Sequence, residues 1–309
     1  MTYDEFASGF DAERIAIGVQ IGTLKKIAMP LQQLYCTSLY FGNDRGIPLI
    51  MSNLLKAMMR ENSEIIIIKK SSHSVFEHNV EVFEEMLRSN RVSLLECSDA
   101  GFEKLITRLT DRIVTNKKYR NEYCEKNNIK DWRRSESIGK WRREVRAKSN
   151  PLMIVIESMA DLIINLKTET AGIISAYFSQ CEGFNIYFWA AYYPDDEERI
   201  EKARFPHGIP EKDYEEGSED SLREKRIRHN KEDIEQIFNT NKFIILSGGR
   251  FNRQKLIVLP NQFEAIEKPC SEVNDNKLLL HYRGGLYSLF MPCGGNKKST
   301  LDPDEGDII

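Results

Sequence analysis

Long apolar runs are missing from this 309-residue chain. No stretch approaches the ~18 consecutive apolar residues that a membrane-spanning helix needs, so no bilayer crossing is read from it. The opening MTYDEFASGF has neither a basic start nor an apolar run, which argues against a secretory leader. Any link to a membrane is therefore expected to come from another chain or another part of the protein. Cysteine is sparse and unpaired in pattern: Cys36, Cys97, Cys124, Cys181, Cys270 and Cys293 form no C-x-x-C pair. That suits free thiols in a reducing compartment better than a disulfide framework. The histidines (His73, His78, His207, His229, His281) lack metal-ligand spacing, so neither a structural metal nor any other cofactor is expected. A charge excess of one sign is also lacking, since 44 Lys and Arg face 47 Asp and Glu, a net −3. Whole-chain charge thus selects neither nucleic acid nor an acidic partner.

Core material is ample, with 41% of residues hydrophobic. Residues 14–20 and 25–30 read as a hairpin around Gly22, and 33–41 as the next strand. Ile65–Ile68 and Pro151–Ile156 are continuous apolar runs, as in a sheet covered on both faces. Further strands are expected at 92–96, 184–193, 243–246, 255–259 and 286–291. Met51, Leu54, Leu55 and Met58 recur at helical spacing, as do Phe102, Leu105, Ile106, Leu109 and Ile113, the latter capped by Ser98 or Asp99. More helices follow at 159–163 and 171–178, and Ile234, Ile237 and Phe238 make a packing stripe. Strands alternating with helices predict an α/β sandwich with a largely parallel sheet. No repeat or linker divides the chain, so residues 1–309 read as one domain with two charged insertions. The segment 117–148 is basic and holds Trp132 and Trp141; 194–220 is acidic. Solvated surface is the plain reading of both, and docking of an oppositely charged partner the sharper one. For the basic segment the partner-facing candidates are Trp132, Arg133, Arg134, Trp141, Arg142 and Arg143.

The chemistry-bearing positions are conspicuous for what replaces them. Gly42-Asn43-Asp44-Arg45-Gly46-Ile47-Pro48 follows the β-formers Leu39-Tyr40-Phe41 and precedes a helical pattern. This is the layout of a phosphate loop, whose motif Gly-x-x-x-x-Gly-Lys-Ser/Thr puts Lys on the β/γ-phosphates and a hydroxyl on Mg²⁺. Here Ile47 stands for the lysine and Pro48 for the hydroxyl residue, and the loop is one residue short. A second element should be an apolar strand ending in Asp-Glu; Met153–Ile156 is such a strand but ends in Glu157-Ser158. Ser158 has no group to serve as a base, and the longer arm of Glu157 shifts any metal geometry. Single electrostatic contacts of this kind are worth about 3–4 kcal/mol in a transition state, so two losses remove several orders of magnitude of turnover. Efficient ATP hydrolysis is therefore not expected, and residual nucleotide binding through loop amides is the weaker possibility. Leu246-Ser247-Gly248-Gly249-Arg250 looks like a transporter signature but ends a strand far downstream of Glu157, and reads as a turn, as do Gly284-Gly285 and Gly294-Gly295. The aromatic run Tyr187, Phe188, Trp189, Tyr192 and Tyr193 reads as a core strand in preference to a base-stacking platform.

Taken in order, Ile17-Gly18-Val19, Ser38–Asn43, Pro151–Glu157 and Ile244–Gly249 resemble the FtsK/SpoIIIE-type ATPases. More narrowly they resemble the last, degenerate ATPase-like domain of the EssC/YukB proteins of type VII secretion. The likeness spans most of the chain and rests on order and pattern. It implies a three-layer P-loop NTPase-like (RecA/FtsK-type) sandwich without the family's hydrolytic chemistry, because Ile47, Pro48, Glu157 and Ser158 depart from it. It also implies a module on the cytoplasmic side of the membrane within a membrane-anchored protein. Implied partners are exported helical-hairpin proteins with a WxG turn and neighbouring ATPase domains; DNA is not favoured. A peptide is expected to dock between loop 42–48 and Glu157, or on the basic segment. The alternatives are an FtsK-type translocase with residual ATP binding, and an unrelated α/β protein, which the absence of a helix directly after Gly46 would favour. The acid-rich 302–309 reads as the end of a chain.

Overall fold

The computed structural model describes residues 6–10, 14–41, 47–60, 62–208, 214–238, 243–247, 277–282 and 285–290. The chain opens with an antiparallel pair, β1 (Arg14–Gln20) and β2 (Lys26–Pro30), turned by Gly22 at φ +90°. Residues 33 and 34, expected to begin a strand, instead end a 3-10 turn (Leu31–Leu34), and β3 is Cys36–Phe41. The helix α1 (Ile47–Arg60) follows directly, with Pro48 in its first turn, where a missing N–H costs nothing. Next come β4 (Glu64–Ile68), the short helices α2 (Val75–His78) and α3 (Val80–Leu87), and β5 (Val92–Leu95). A long helix α4 (Asp99–Lys126) is capped by Ser98, whose Oγ accepts the Gly101 N–H at 3.4 Å. The helix α5 (Ser135–Lys148) leads to β6 (Leu152–Ile156), α6 (Met159–Asn165), α7 (Thr168–Cys181) and β7 (Ile186–Tyr192). Helices α8 (Asp196–Arg204) and α9 (Glu219–Phe238) precede β8 (Phe243–Ser247), β9 (Lys277–Tyr282) and β10 (Gly285–Phe290).

These strands form one ten-stranded sheet in the order β2-β1-β10-β9-β8-β3-β7-β6-β4-β5. From β8 to β5 all neighbours are parallel, as the apolar runs predicted. The other edge is antiparallel, through β9, β10, β1 and β2. Alternate residues of the parallel strands feed two cores. Tyr40, Ile66, Ile154, Phe188 and Tyr192 face one side, under Phe102, Trp141, Leu162 and Ile174. Leu39, Ile65, Ile67, Val155 and Trp189 face the other, under Met51, Leu54, Phe76 and Phe83. Each such buried side chain contributes about 1.5–3 kcal/mol, and burial on both faces erases the period-two signal. Tyr187, Phe188, Trp189, Tyr192 and Tyr193 are all buried, so this strand is core and offers no stacking platform. The expected strand at 255–259 and the turns at 248–249 and 294–295 lie outside the described residues.

Candidate functional site

The parallel strands bring the carboxyl ends of β3, β6 and β7 to one edge, with β7 between the other two. Open α/β sheets bind ligands at this edge. Gly42 to Gly46 lie outside the described residues, while Ile47 and Pro48 open α1 immediately beyond them. The helix whose absence would have favoured the unrelated-fold alternative is therefore present.

Glu157, just past β6, is 1% exposed. Its Oε2 accepts the Lys70 N–H and the Ser74 hydroxyl, each at 2.8 Å, and its Oε1 accepts the Val75 N–H. Ser74 precedes α2 without capping it; the glutamate does so in its place. Burial pushes the Glu157 pKa up, against the pull of these donors and of the nearby Lys70 charge. Ser158 caps α6, its Oγ accepting the Asp161 N–H at 3.2 Å, and also accepts from Arg199 Nη1 at 3.3 Å. Arg199 in turn pairs with Asp161 and, at 3.2 Å, with Asp196. Asp161 also accepts the Ser71 N–H, and Asp196 the Tyr193 N–H at 2.9 Å. Burial pushes Asp196 up to about 7. Lys70 Nζ lies 4.2 Å from the centre of the Tyr193 ring.

The strand ends are thus sewn together by Lys70, Ser71, Ser74, Asp161, Asp196 and Arg199, none of which the sequence marked as a site residue, although Asp196 and Arg199 lie in the acidic segment. The bonds from Lys70, Ser71, Ser74 and Val75 to Glu157 and Asp161 span 82 to 90 residues across the β4–β6 junction, and those from Arg199 to Ser158 and Asp161 span 41 and 38, so no local motif announces them. Both Glu157 oxygens already hold protein donors, and among the described residues no group of three His, Cys, Asp or Glu is placed to hold a metal ion.

The basic segment is structural for much of its length. Residues 117–148 form the last third of α4, a connection and α5, a layer of the sandwich rather than an appendage. Trp141, expected to face a partner, is 3% exposed. Its Nε1–H donates to the Trp132 carbonyl at 3.0 Å, and its ring packs edge-on to Trp132 at 6.1 Å and against Phe184 at 5.8 Å. Trp132 is partly buried, with the Arg120 guanidinium 4.0 Å over its ring. Arg142 is partly buried beside Trp141, whereas Arg133, Arg134 and Arg143 are exposed. The acidic segment is largely neutralised by its own helices, through Glu198–Lys202 at 2.8 Å, Arg204 with Glu201 at 2.8 Å and Glu224 at 2.6 Å, and Glu197–Lys231. Among the described residues no helix is long and apolar enough to cross a membrane.

No protein-family model and no curated protein matches the sequence. Solved structures do match the fold. The cytoplasmic domain of EssC superposes with a TM-score of 0.57 at 13% identity, over 94% of this chain and 47% of that one. Thermomonospora curvata EccC (ATPases 2 and 3), in complex with a signal sequence peptide, gives 0.54 at 10% identity, over 95% and 43%. The pCW3 conjugation coupling protein TcpA, with ATPγS, gives 0.55 at 16%, over 91% and 66%. This chain therefore spans less than half the length of the EssC and EccC chains. With its parallel sheet, its strand order and the helix that opens at Ile47, the chain has the fold of an EssC-like, FtsK/SpoIIIE-type ATPase domain.

Proposed function

We propose that this chain is a non-hydrolysing ATPase-fold module of a type VII-like protein secretion motor, acting by docking exported polypeptides or neighbouring ATPase domains. The observation that carries the reading is the state of Glu157. The carboxylate at the end of β6 holds the 70–75 loop and the start of α2, three of its acceptor sites engaged by protein donors rather than aimed at a metal or a water. Ile47 and Pro48, in place of a cation and a hydroxyl at the head of α1, support the same conclusion from the other side of the edge. Secretion is favoured over DNA translocation by the EssC and EccC likeness. The EccC structure holds a signal sequence peptide, and on this reading an exported helical hairpin is the corresponding occupant here. The module would stand on the cytoplasmic side of a membrane, anchored by a neighbouring part of its protein.

Phosphate release from Mg-ATP, measured beside a pull-down with cognate hairpin proteins, tests the proposal. Turnover at the buffer rate is expected, unchanged by Ile47→Lys because Glu157 remains engaged, together with retention of a hairpin protein or an ATPase domain. Steady phosphate release that disappears in Glu157→Gln would overturn it.

A further inference from the structure

At the opposite edge of the sheet, where β6 and β7 begin, lies a cleft of about 570 Å³. One wall is α5, which presents Arg143 and Arg146; Gln32 and Asn150 offer hydrogen-bonding groups, and Ala147 and Pro151 an apolar strip. No carboxylate lines it. Among the described residues neither arginine has a carboxylate partner, although Arg143 Nε–H reaches the Gly139 carbonyl at 3.3 Å. The acidic helices α8 and α9, by contrast, neutralise themselves. The floor is rigid: Asn185, in the left-handed region at φ 58°, donates to the Ser149 carbonyl at 2.7 Å and accepts the Tyr187 hydroxyl at 3.0 Å.

We propose that this cleft docks an acidic, partly apolar segment of a partner polypeptide. A carboxylate would be held by the planar forks of Arg143 and Arg146, with an adjacent apolar side chain against Ala147 and Pro151. Guanidinium forks match carboxylates in two-point contacts, and a preorganised floor lowers the ordering cost. A nucleic-acid backbone fits less well, because regularly spaced phosphates call for a stripe of cations, whereas this wall offers two beside an apolar strip. The proposal rests on the reading of the module as a docking platform, but the cleft is on the edge away from Glu157 and is independent of nucleotide chemistry.

The test is fluorescence anisotropy with a labelled peptide of alternating Glu and Leu, its Gln counterpart as control, and a single-stranded oligonucleotide as competitor. Saturable binding of the Glu peptide is expected, at least about tenfold weaker for the Gln peptide and for the Arg143→Gln/Arg146→Gln double variant. Arg143→Lys/Arg146→Lys should fall between, since it keeps the charge and loses the fork. Arg88→Gln, an exposed arginine just past α3 and outside the cleft lining, should bind within about twofold of the parent. Circular dichroism on each variant separates lost binding from lost fold. Equal affinity in the parent and the Gln double variant, no saturable binding, or displacement by the oligonucleotide at lower concentration than by unlabelled peptide would each overturn the proposal. Phosphate release by the parent would sink the non-hydrolysing reading and leave this result standing.

Discussion

Asp196 accepts the Tyr193 N–H and faces Arg199, yet burial dominates and lifts its pKa from 3.8 to about 7. Its folded value lies above its unfolded one, so between about pH 4 and 7 the native state keeps a proton that the unfolded chain has released. Stability is therefore fullest at the acid end of that window and declines as pH rises through it, by roughly 4 kcal/mol for this group. Glu157, also raised by burial, acts in the same sense above its ordinary value. Asp196→Asn should flatten most of the decline, read as urea unfolding free energy against pH; an unchanged slope would place the titration elsewhere. Glu157→Ala makes a different demand. It strands the Lys70 and Val75 N–H groups and the Ser74 hydroxyl, and should cost on the order of 3 kcal/mol or more. Glu157→Gln keeps one oxygen but sets an amide NH₂ against a donor, so an intermediate loss is expected in the same unfolding assay. A loss within about 0.5 kcal/mol for the alanine variant, as at an ordinary surface site, would show that the 70–75 loop does not depend on this carboxylate.

Two glycines fix how the helices sit on the sheet. A Cβ at Gly101, in the first turn of α4, would lie 2.0 Å from the Glu96 carbonyl oxygen, a backbone atom that cannot yield without moving β5. A Cβ at Gly183 would lie 2.7 Å from Trp141 Cη2, a ring held by Trp132 and Phe184. Gly183→Ala should therefore destabilise the parent by about 1–3 kcal/mol, as overpacking does, and much less in a Trp141→Leu background that vacates the space. A thermal-unfolding double-mutant cycle with no coupling between the two would refute that contact. These examples mark the limit of what the sequence discloses. The strands at 65–68 and 152–156 are legible because continuous apolar runs have no other use in a layered sheet. The basic segment is misleading because charge dominates α5, while its buried stripe is only Ser137, Trp141 and Val145 at four-residue spacing. β9 (Lys277–Tyr282) escapes because its apolar run, Leu278–Leu280, is only three residues long. At the site, the acid at the end of β6 is visible, but its donors reach it through the β4–β6 pairing, which no local pattern encodes.

The whole molecule depends on a shared sheet rather than on separable cores. β3, β4, β6 and β7 send alternate residues into the two hydrophobic clusters, so neither cluster can dissolve while those strands stay paired. Trp189 reports on one face, fixed by its Nε1–H to the Leu34 carbonyl at 3.0 Å. Trp132 and Trp141 report on the other. Although chains of this length often unfold through intermediates, the interleaving predicts that both faces are lost together. The measurement uses two variants, Trp189→Phe and Trp132→Phe/Trp141→Phe, each leaving tryptophan on a single face. Within each variant the fluorescence midpoint in urea should coincide with that of far-ultraviolet circular dichroism. Comparison inside each variant matters, because the substitutions themselves shift stability. If the Trp132/Trp141 signal moved at lower urea than the dichroism, α4 and α5 would detach as a unit of their own, and the basic segment would regain the standing of an insertion that its sequence suggests. Coincident transitions would instead make that segment a fixed wall, which is the condition for a cleft built on Arg143 and Arg146 to hold its shape before a partner arrives.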